Sequence, residues 1–590
     1  MNLVNPYKYV VSNAFVSSWN TANTSTGSST STQVKLPLVS TGTYNFIVNW
    51  GDGNSDTITA WNAAATTHTY ASSGTYTITI TGTCTGWRFN NTGDRLKILS
   101  ISSWGSLKLG TVATQDGYFF GCANLSLSSV SDVLNLTGTN GFTSIFRSCT
   151  ALTTINRINE WDTSGVYYFN NAFMFCTNFN SYIGGWNVQN GLNFGSMFQS
   201  ASAYNQAMPS WSPTLGVNVT FNSMFVSATA FNQNLGGWNV SAVTDFTSMF
   251  QSATAFNNGG SSNINNWTLK NSGTINMTSM FRSCPFNQAI GNWNTAYVTN
   301  MSSMFLSNGA FNQNIGSWNV SSVITFNSMF AAASAFNNGG SNTINNWTFK
   351  TSGGTVNMAS MFSSANSFNQ PIGSWNVSNV VDLSGMFTSN TAFNNGLANG
   401  VAGDMLWSVG TTTTTIYSMF NGATAFNQNV GVWNLSNCST LINLFAGATK
   451  FNNGGSSSIN SWTLKTTGTL DLSFVFACPA FNQNVGSWNT SAATNMSGMF
   501  QNNTAFNQNI GSWNVSNVTN FSNFMLGKTS ANFSTTNLDA IYNGWSALAG
   551  GVKPSITITF GSAKYTSASS AGRAILTGSP NNWTITDGGI

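Results

Sequence analysis

The chain has 590 residues, a formal net charge of +4 and only 5% charged residues, against about 25% in an ordinary globular protein. Its Lys and Arg are scattered singly with no basic stripe, which argues against a nucleic-acid partner, and aromatic residues at 13% argue against disorder. No run of about 18 apolar residues occurs, so no membrane span is predicted, and Asn, Ser, Thr and Gly must carry solubility.

In chain order, residues 1–33 read as a polar arm or linker ending in TANTSTGSSTSTQ. The first residues hold no apolar core of signal-peptide length, and the expectation is a chain made in a host cytoplasm, assembled into a particle and released by lysis. From Tyr44 the sequence YNFIVNWGDG alternates apolar and polar, as does Tyr76 to Ile80, with a Gly-rich turn between; period two predicts strands. The WGDG turn at Trp50–Gly53, His68, Tyr70, and the run from Gly74 through Tyr76 resemble a PKD-type immunoglobulin-like β-sandwich over 34–86. Such a sandwich implies a spacer or weak binding unit, with Asp52 and His68 as framework residues. Residues 87–118 are expected to form a transition and N-terminal cap.

From 119 to 528 one unit recurs. The same Phe returns at 119, 146, 173, 198, 225, 250, 281, 305, 330, 362, 387, 420, 445, 476 and 500, about fifteen copies, and a fixed period of this size predicts a solenoid whose coils bury apolar faces on their neighbours. Relative to that Phe, apolar residues fall at −4, −1, 0 and +3 (Met301, Met304 and Phe305; or Phe246, Met249, Phe250 and Ala253), which predicts a short helix or 3₁₀ segment. Trp318 and Val320 straddle Asn319, which predicts a short strand with Trp and Val inward. At about 4.8 Å per strand the array would make a rod on the order of 70 Å. Inserts such as Asn258-Gly259-Gly260, Asn338-Gly339-Gly340, Asn395-Gly396 and Asn453-Gly454-Gly455 are expected to bulge as loops. Cys122, Cys149, Cys176 and Cys284 stand where other copies have Ala, and read as core thiols. Residues 529–590, with a helix from Tyr565 to Leu576, are expected to cap the array.

The cadence of Phe146, Cys149, Leu152 and Ile155 resembles BspA-like leucine-rich repeat surface proteins. The later form, WNVSxVTxMxxMFxxAxxFNQ, resembles the repeat of Mycoplasma surface lipoproteins and of some phage virion proteins. The fold expected is mainly β: a leucine-rich-repeat-like β-solenoid of about fifteen repeats with short helical turns, preceded by the sandwich and closed by a C-terminal cap. No lipoprotein signal or lipobox cysteine is seen, so the lipid anchor of bacterial relatives is not carried over.

Ionisable groups are scarce, with one His and a single Glu, Glu160. Asp245, Asp382 and Asp471 each lie five residues before a repeat Phe, but several turns apart: roughly 24 and 14 Å at strand spacing, against about 5–9.5 Å for paired glycosidase carboxylates. They read as capping residues. No catalytic, cofactor or metal site is predicted. The candidate ligand-facing strip is the residue after each Trp: Asn239, Thr268, Asn294, Asn319, Thr348, Asn376, Asn434, Thr463, Asn489 and Asn514. Its amides and hydroxyls both donate and accept hydrogen bonds, which suits a glycan or a flat protein partner; the alternative is that Asn stacks on Asn only to satisfy itself. The expectation is a non-enzymatic binding protein at a virion surface (fibre, spike or capsid decoration), contacting a host-surface glycan or protein, attached to other virion proteins through its N-terminal region, and homo-oligomeric or lattice-attached. A purely structural lattice or filament subunit and a bacterial cell-surface adhesin are the alternatives.

Overall fold

The computed structural model describes residues 13–110, 117–209, 211–214, 218–410 and 412–590. The chain divides into two compact units, one of Met1–Ile275 with Ser283–Gln288, the other of Asn276–Arg282 with Ala289–Ile590.

The first unit opens with eight strands: β1 (Phe15–Asn20), β2 (Gln33–Lys35), β3 (Leu38–Asn49), β4 (Ser55–Ile58), β5 (Thr67–Thr69), β6 (Thr75–Trp87), β7 (Ile98–Ser103) and β8 (Leu107–Lys108). The main sheet runs β4-β3-β6-β1-β7, with β8 also on β6, while β2 and β5 pair separately. Alternation does the folding: Tyr44, Phe46 and Val48 of β3 and Ile78 and Ile80 of β6 are buried.

The arm expected over 1–33 is corrected by β1, which lies between β6 and β7; residues 1–12 are outside the described part. Its inward residues are Phe15, Ser17 and Trp19, all buried, and Ser17 Oγ accepts the Trp19 indole N–H at 2.8 Å. A serine on the core face hides the period. The same pairing puts β7, expected as part of a transition, into the sheet. Buried Lys97 clips the loop between β1 and β2, its ammonium donating to the carbonyls of Ser29, Thr30 and Gln33 at 2.8–3.0 Å.

Beyond this sheet both units are solenoidal. The segment around each repeat Phe is a chain of β-turns, not the helix or 3₁₀ segment expected. In the second unit Met304 N donates to Met301 O, Leu306 N to Ser303 O and Asn308 N to Phe305 O, and between these turns Ser303 and Ser307 take the left-handed conformation, φ +55° and +56°. A left-handed residue at every fourth position prevents propagation of a helix. The same geometry turns alternate N–H groups toward the next coil: Met301 donates to Thr325 O, Ser303 to Asn327 O, Phe305 to Met329 O and Ser307 to Ala331 O, at 2.8–3.1 Å. The apolar residues at −4, −1, 0 and +3 still point inward, which is why their spacing imitates a helix.

The parallel ladder lies just before these turns. Val243–Asp245 pairs with Val219–Thr220 in the first unit; Val356–Asn357 pairs with Val380–Asp382 and Leu470–Asp471 with Ala493–Asn495 in the second. The strand expected at Trp-Asn-Val pairs as a strand, among the described residues, at Asn434–Leu435 with Thr463–Leu464. Elsewhere its middle Asn bends the chain: Asn319 Oδ1 accepts Ser321 N at 3.0 Å, and Val323 N then closes a turn on Val320 O.

Aromatic columns fill the interior. Phe305 stacks on Phe330 at 5.5 Å and 2°, and Phe330 on Phe362 at 5.6 Å. A second column, Phe311 on Phe336 at 5.9 Å, leans on the first, with Phe305 and Phe311 only 3.9 Å apart. Trp347, Trp375 and Trp407 stack at 6.0–6.1 Å, and their indole N–H groups donate to Ile315, Ile344 and Ile372 carbonyls of the preceding coils. The first unit repeats this with Phe173, Phe198 and Phe225.

The Gly-Gly inserts are built, not bulged. Asn338 is fully buried at φ +52°; its Oδ1 accepts Ile315 N at 2.9 Å and its amide donates to Ser341 O at 2.6 Å. Gly339 follows at φ +63°, and a 3₁₀ segment Asn342–Asn346 then starts under a Ser341 cap. Asn258 and Asn453 repeat the arrangement. Loop-like composition conceals it because its buried member is itself polar.

Each unit has a segment that covers a terminal coil. In the first unit Phe89, Asn90 and Asn91 donate their N–H groups to the carbonyls of Tyr118, Gly117 and Phe120. In the second, two helices, α1 (Thr535–Ser546) and α2 (Ser570–Thr577), belong to the segment that covers its last coil: Met525 N donates to Thr559 O, and Phe521 packs on Trp545 at 5.5 Å.

Candidate functional site

The strip after each Trp faces outward. Asn239 and Thr268 in the first unit, and Asn294, Asn319, Thr348, Asn376, Thr463 and Asn489 in the second, are exposed; Asn434 and Asn514 are half-buried. The flanking Trp and the following Val, Leu, Phe or Thr are buried, so burial alternates as the sequence implies. The amides do not bond one another along the column. Each carbonyl oxygen closes its own turn, accepting from the residue two places on: Asn239 from Ser241, Asn294 from Ala296, Asn376 from Ser378, Asn434 from Ser436, Asn489 from Ser491 and Asn514 from Ser516, at 3.0–3.2 Å. The amide nitrogens make no hydrogen bond among the described residues, so the column offers donors to solvent.

An asparagine ladder does exist, in a column outside the expected strip. The Asn after the second Phe of each coil accepts, through Oδ1, the backbone N–H of its counterpart one coil on. In the first unit this links Asn180 to Asn205, Asn232 and Asn257. In the second it runs from Asn312 through Asn337, Asn369, Asn394, Asn427, Asn452, Asn482 and Asn507, at 2.8–3.0 Å. It ends on Ser534 N, the residue that caps α1. The FNQ and FNN signatures, with Tyr204-Asn205-Gln206 as a variant, carry this signal: an Asn directly after a core aromatic residue.

The ladder strands present a second outward face. Asp245, Asp382 and Asp471 stand on it, and one oxygen of each accepts the N–H two residues on, from Thr247, Ser384 and Ser473, at 2.8–2.9 Å. Asn276, Asn300, Asn357 and Asn495 make the same bond in other copies. The column therefore starts each turn run, with side-chain oxygens standing in for a cap as expected. Asp471 also accepts from Asn495 Nδ2 at 2.9 Å.

Asp52 and His68 meet at the edge of the N-terminal sheet, Oδ2 and Nε2 2.8 Å apart. The imidazole stacks on Trp50 at 4.8 Å. Partial burial works to raise the Asp52 carboxyl, but hydrogen bonds from His68 and Asn54 outweigh it and hold it down at about 2. The thiols of Cys122, Cys149, Cys176 and Cys284 are buried and unpaired. Cys149 and Cys176 donate to the Phe119 and Phe146 carbonyls, and burial pushes Cys176 and Cys284 up to about 12. Their column also accepts Asn308, Asn390 and Asn503, all buried; it selects for small size, not for apolarity alone.

Parallel-laddered coils around stacked Phe and Trp define this as a β-solenoid repeat protein. Its repeats match the family described as Mycoplasma protein of unknown function, DUF285, over 140–267, 216–285, 259–355, 341–462 and 454–543, and the chain belongs to that family. No curated protein and no solved structure matches it. Among the described residues no helix is long and apolar enough to cross a membrane.

Proposed function

We propose that this chain is a non-enzymatic binding protein displayed at a surface, and that its solenoidal units present their post-Trp strips, Asn239 and Thr268 in the first and Asn294 to Asn514 in the second, to a glycan or a flat protein partner. The observation that carries the reading is the unspent amide donors of Asn239, Asn294, Asn319, Asn376 and Asn489, exposed on a face almost free of charge, with their carbonyls already committed to turns. Such a face pairs with hydroxyl-rich or backbone-rich partners and repels little. The carboxylates of Asp245, Asp382 and Asp471 hold turns and lie in separate copies, which supports a binding role over a hydrolytic one.

The location we favour is a virion surface, as a fibre, spike or capsid decoration, with the N-terminal sheet, read as a PKD-type sandwich, as the attaching module and other virion proteins as its partners. A BspA-like adhesin at a bacterial cell surface is the closest variant, and membership of a Mycoplasma family supports it. A lattice or filament subunit is the second reading, favoured by the regular repetition of the strip, which could seat a second copy. Glycan-array and cell-adherence measurements with Asn319→Asp and Asn376→Asp test the proposal. Loss of binding by the variants is expected; a wild-type chain that binds neither glycans nor cells, with the strip buried in its native assembly, would replace it with the lattice reading.

A further inference from the structure

One coil of the first unit departs from the polar pattern. Tyr167, Tyr168 and Tyr182 are 40%, 42% and 44% exposed. Tyr167 and Tyr168 lie together between buried Val166 and Phe169, both outward on the ladder face. Neighbouring copies put Asn140 and Gly141, or Leu192 and Asn193, at the same places: Gly141, Tyr168 and Asn193 are successive partners in the parallel ladder, and Tyr167 N donates to Asn140 O at 2.9 Å. The position that matches Tyr168 in the preceding coil, Gly141, carries no side chain.

Two grooves lie on the side of this coil that meets the preceding copies. The first, about 430 Å³, runs between segment 134–140 and a wall that includes Glu160, Asp162 and Ser164, and it reaches Asn140, beside Tyr167. The second, about 420 Å³, is lined by segment 154–160 and by Asn180, Ser181 and Tyr182. Glu160 lines both, held by a two-pronged pair with Arg157 at 2.7 and 3.0 Å, so this ion pair forms the ridge between them. Each volume falls in the range of small-ligand sites, about 300–1,000 Å³. Asp162 occupies the same post-Trp position as the strip; Ser164 bonds its Oδ1, and Oδ2 has no partner among the described residues. Asn170 and Asn193 spend their carbonyls on Thr143 and Gly195 and keep amide donors unspent.

Exposed aromatic faces beside mixed donors and acceptors are what a pyranose ring requires. Its C–H face carries partial positive charge and rests on the negative face of a ring, while its hydroxyls bond carboxylate and amide. The Asp162 carboxylate disfavours polyanions. We propose that the first unit binds a neutral linear oligosaccharide along this path, from Tyr182 across the Arg157–Glu160 ridge to Tyr167 and Tyr168. The proposal rests on the reading of the chain as a binding protein, and adds to it a site and a ligand class.

The test is titration of the whole chain with short linear oligomers of glucose, mannose, galactose and N-acetylglucosamine, with a polyuronate and single-stranded DNA as anionic arms. At least one neutral oligomer is expected to bind. The double variant Tyr167→Ala with Tyr168→Ala, and Tyr182→Ala, should each weaken it about tenfold, and Asp162→Asn should weaken it as well. Neutral-glycan binding that survives the tyrosine variants overturns this cleft but leaves the binding function standing. Binding that survives the tyrosine variants and is lost through Asn319→Asp belongs to the strip instead. Binding of the anionic arms alone, or of nothing in the panel, overturns the cleft, and cell adherence then decides the broader reading. Should the alanine variants melt early, nitration of the three tyrosines in the unmodified chain decides between the outcomes: protection by the oligomer supports the site, and unchanged nitration overturns it.

Discussion

At the scale of single residues, the most unusual is Lys528. It stands in the column that elsewhere holds Cys, Ala or Asn, is almost wholly buried, and its ammonium donates to Phe506 O at 2.5 Å with the Phe506 and Phe533 rings 5.9 Å away. No carboxylate pairs with it among the described residues. Burial pushes it down from 10.5 to about 7, so between those values the unfolded chain holds the proton more tightly than the folded one. Stability must therefore rise with pH across that window, and the penalty is largest at and below about pH 7. Lys528→Met is expected to stabilise the second unit by roughly 1–3 kcal/mol at pH 7, after loss of the bond to Phe506 O, and by nothing near pH 10. Unfolding midpoints measured across that range check both the size and the slope; a gain independent of pH would mean that the lysine is already neutral or solvated.

Among elements, the insert at Asn338 shows how much order a polar loop can hold. Its side chain satisfies one backbone donor and one backbone acceptor with no solvent access, and its own backbone is left-handed. Asn338→Ala removes both partners and adds strain at positive φ, an expected loss of about 2–4 kcal/mol. Asn338→Gly keeps the conformation and should lose less. The order of the two in chemical-unfolding midpoint is the check: alanine at or above glycine would contradict the account. The turn runs and the strands are legible in the sequence only in part. The Phe, Met and Trp positions are recognisable as interior, because burial depends only on spacing around a coil. Their backbone is not, because turns with alternate left-handed serines place residues −4, −1, 0 and +3 inward just as a helix does. The ladder is hidden for a related reason: Asn319 between Trp318 and Val320 has strand-like alternation, yet its own carbonyl bends the chain immediately afterwards.

For the molecule as a whole, each unit gains its stability from contacts between successive coils, so an open end is the weak point of a solenoid. In the second unit the last coil directs Met525 N–H toward Thr559 and rests Phe521 and Phe524 on Trp545. A chain ending at 528 would present these rings and unpaired N–H groups to solvent, a template for association. It is expected to form concentration-dependent oligomers by size-exclusion chromatography, where the full chain does not change size. A truncated chain that stays monomeric with an unchanged melting temperature would show that residues beyond 528 do not cap.

What the amino-acid sequence determined by itself is the repeat, its inward aromatic columns and its neutral outer strip, since these follow from periodicity, and periodicity survives any choice of backbone. Only the tertiary structure decided which polar groups face which. The strand at Phe15–Asn20 declares itself through partners some sixty and eighty residues away. The asparagine ladder, the bond from Ile315 to buried Asn338 and the two grooves that share Glu160 join residues of successive copies. Hydrogen bonds and grooves of that kind depend on stacking, and stacking leaves no mark in the order of residues along one coil.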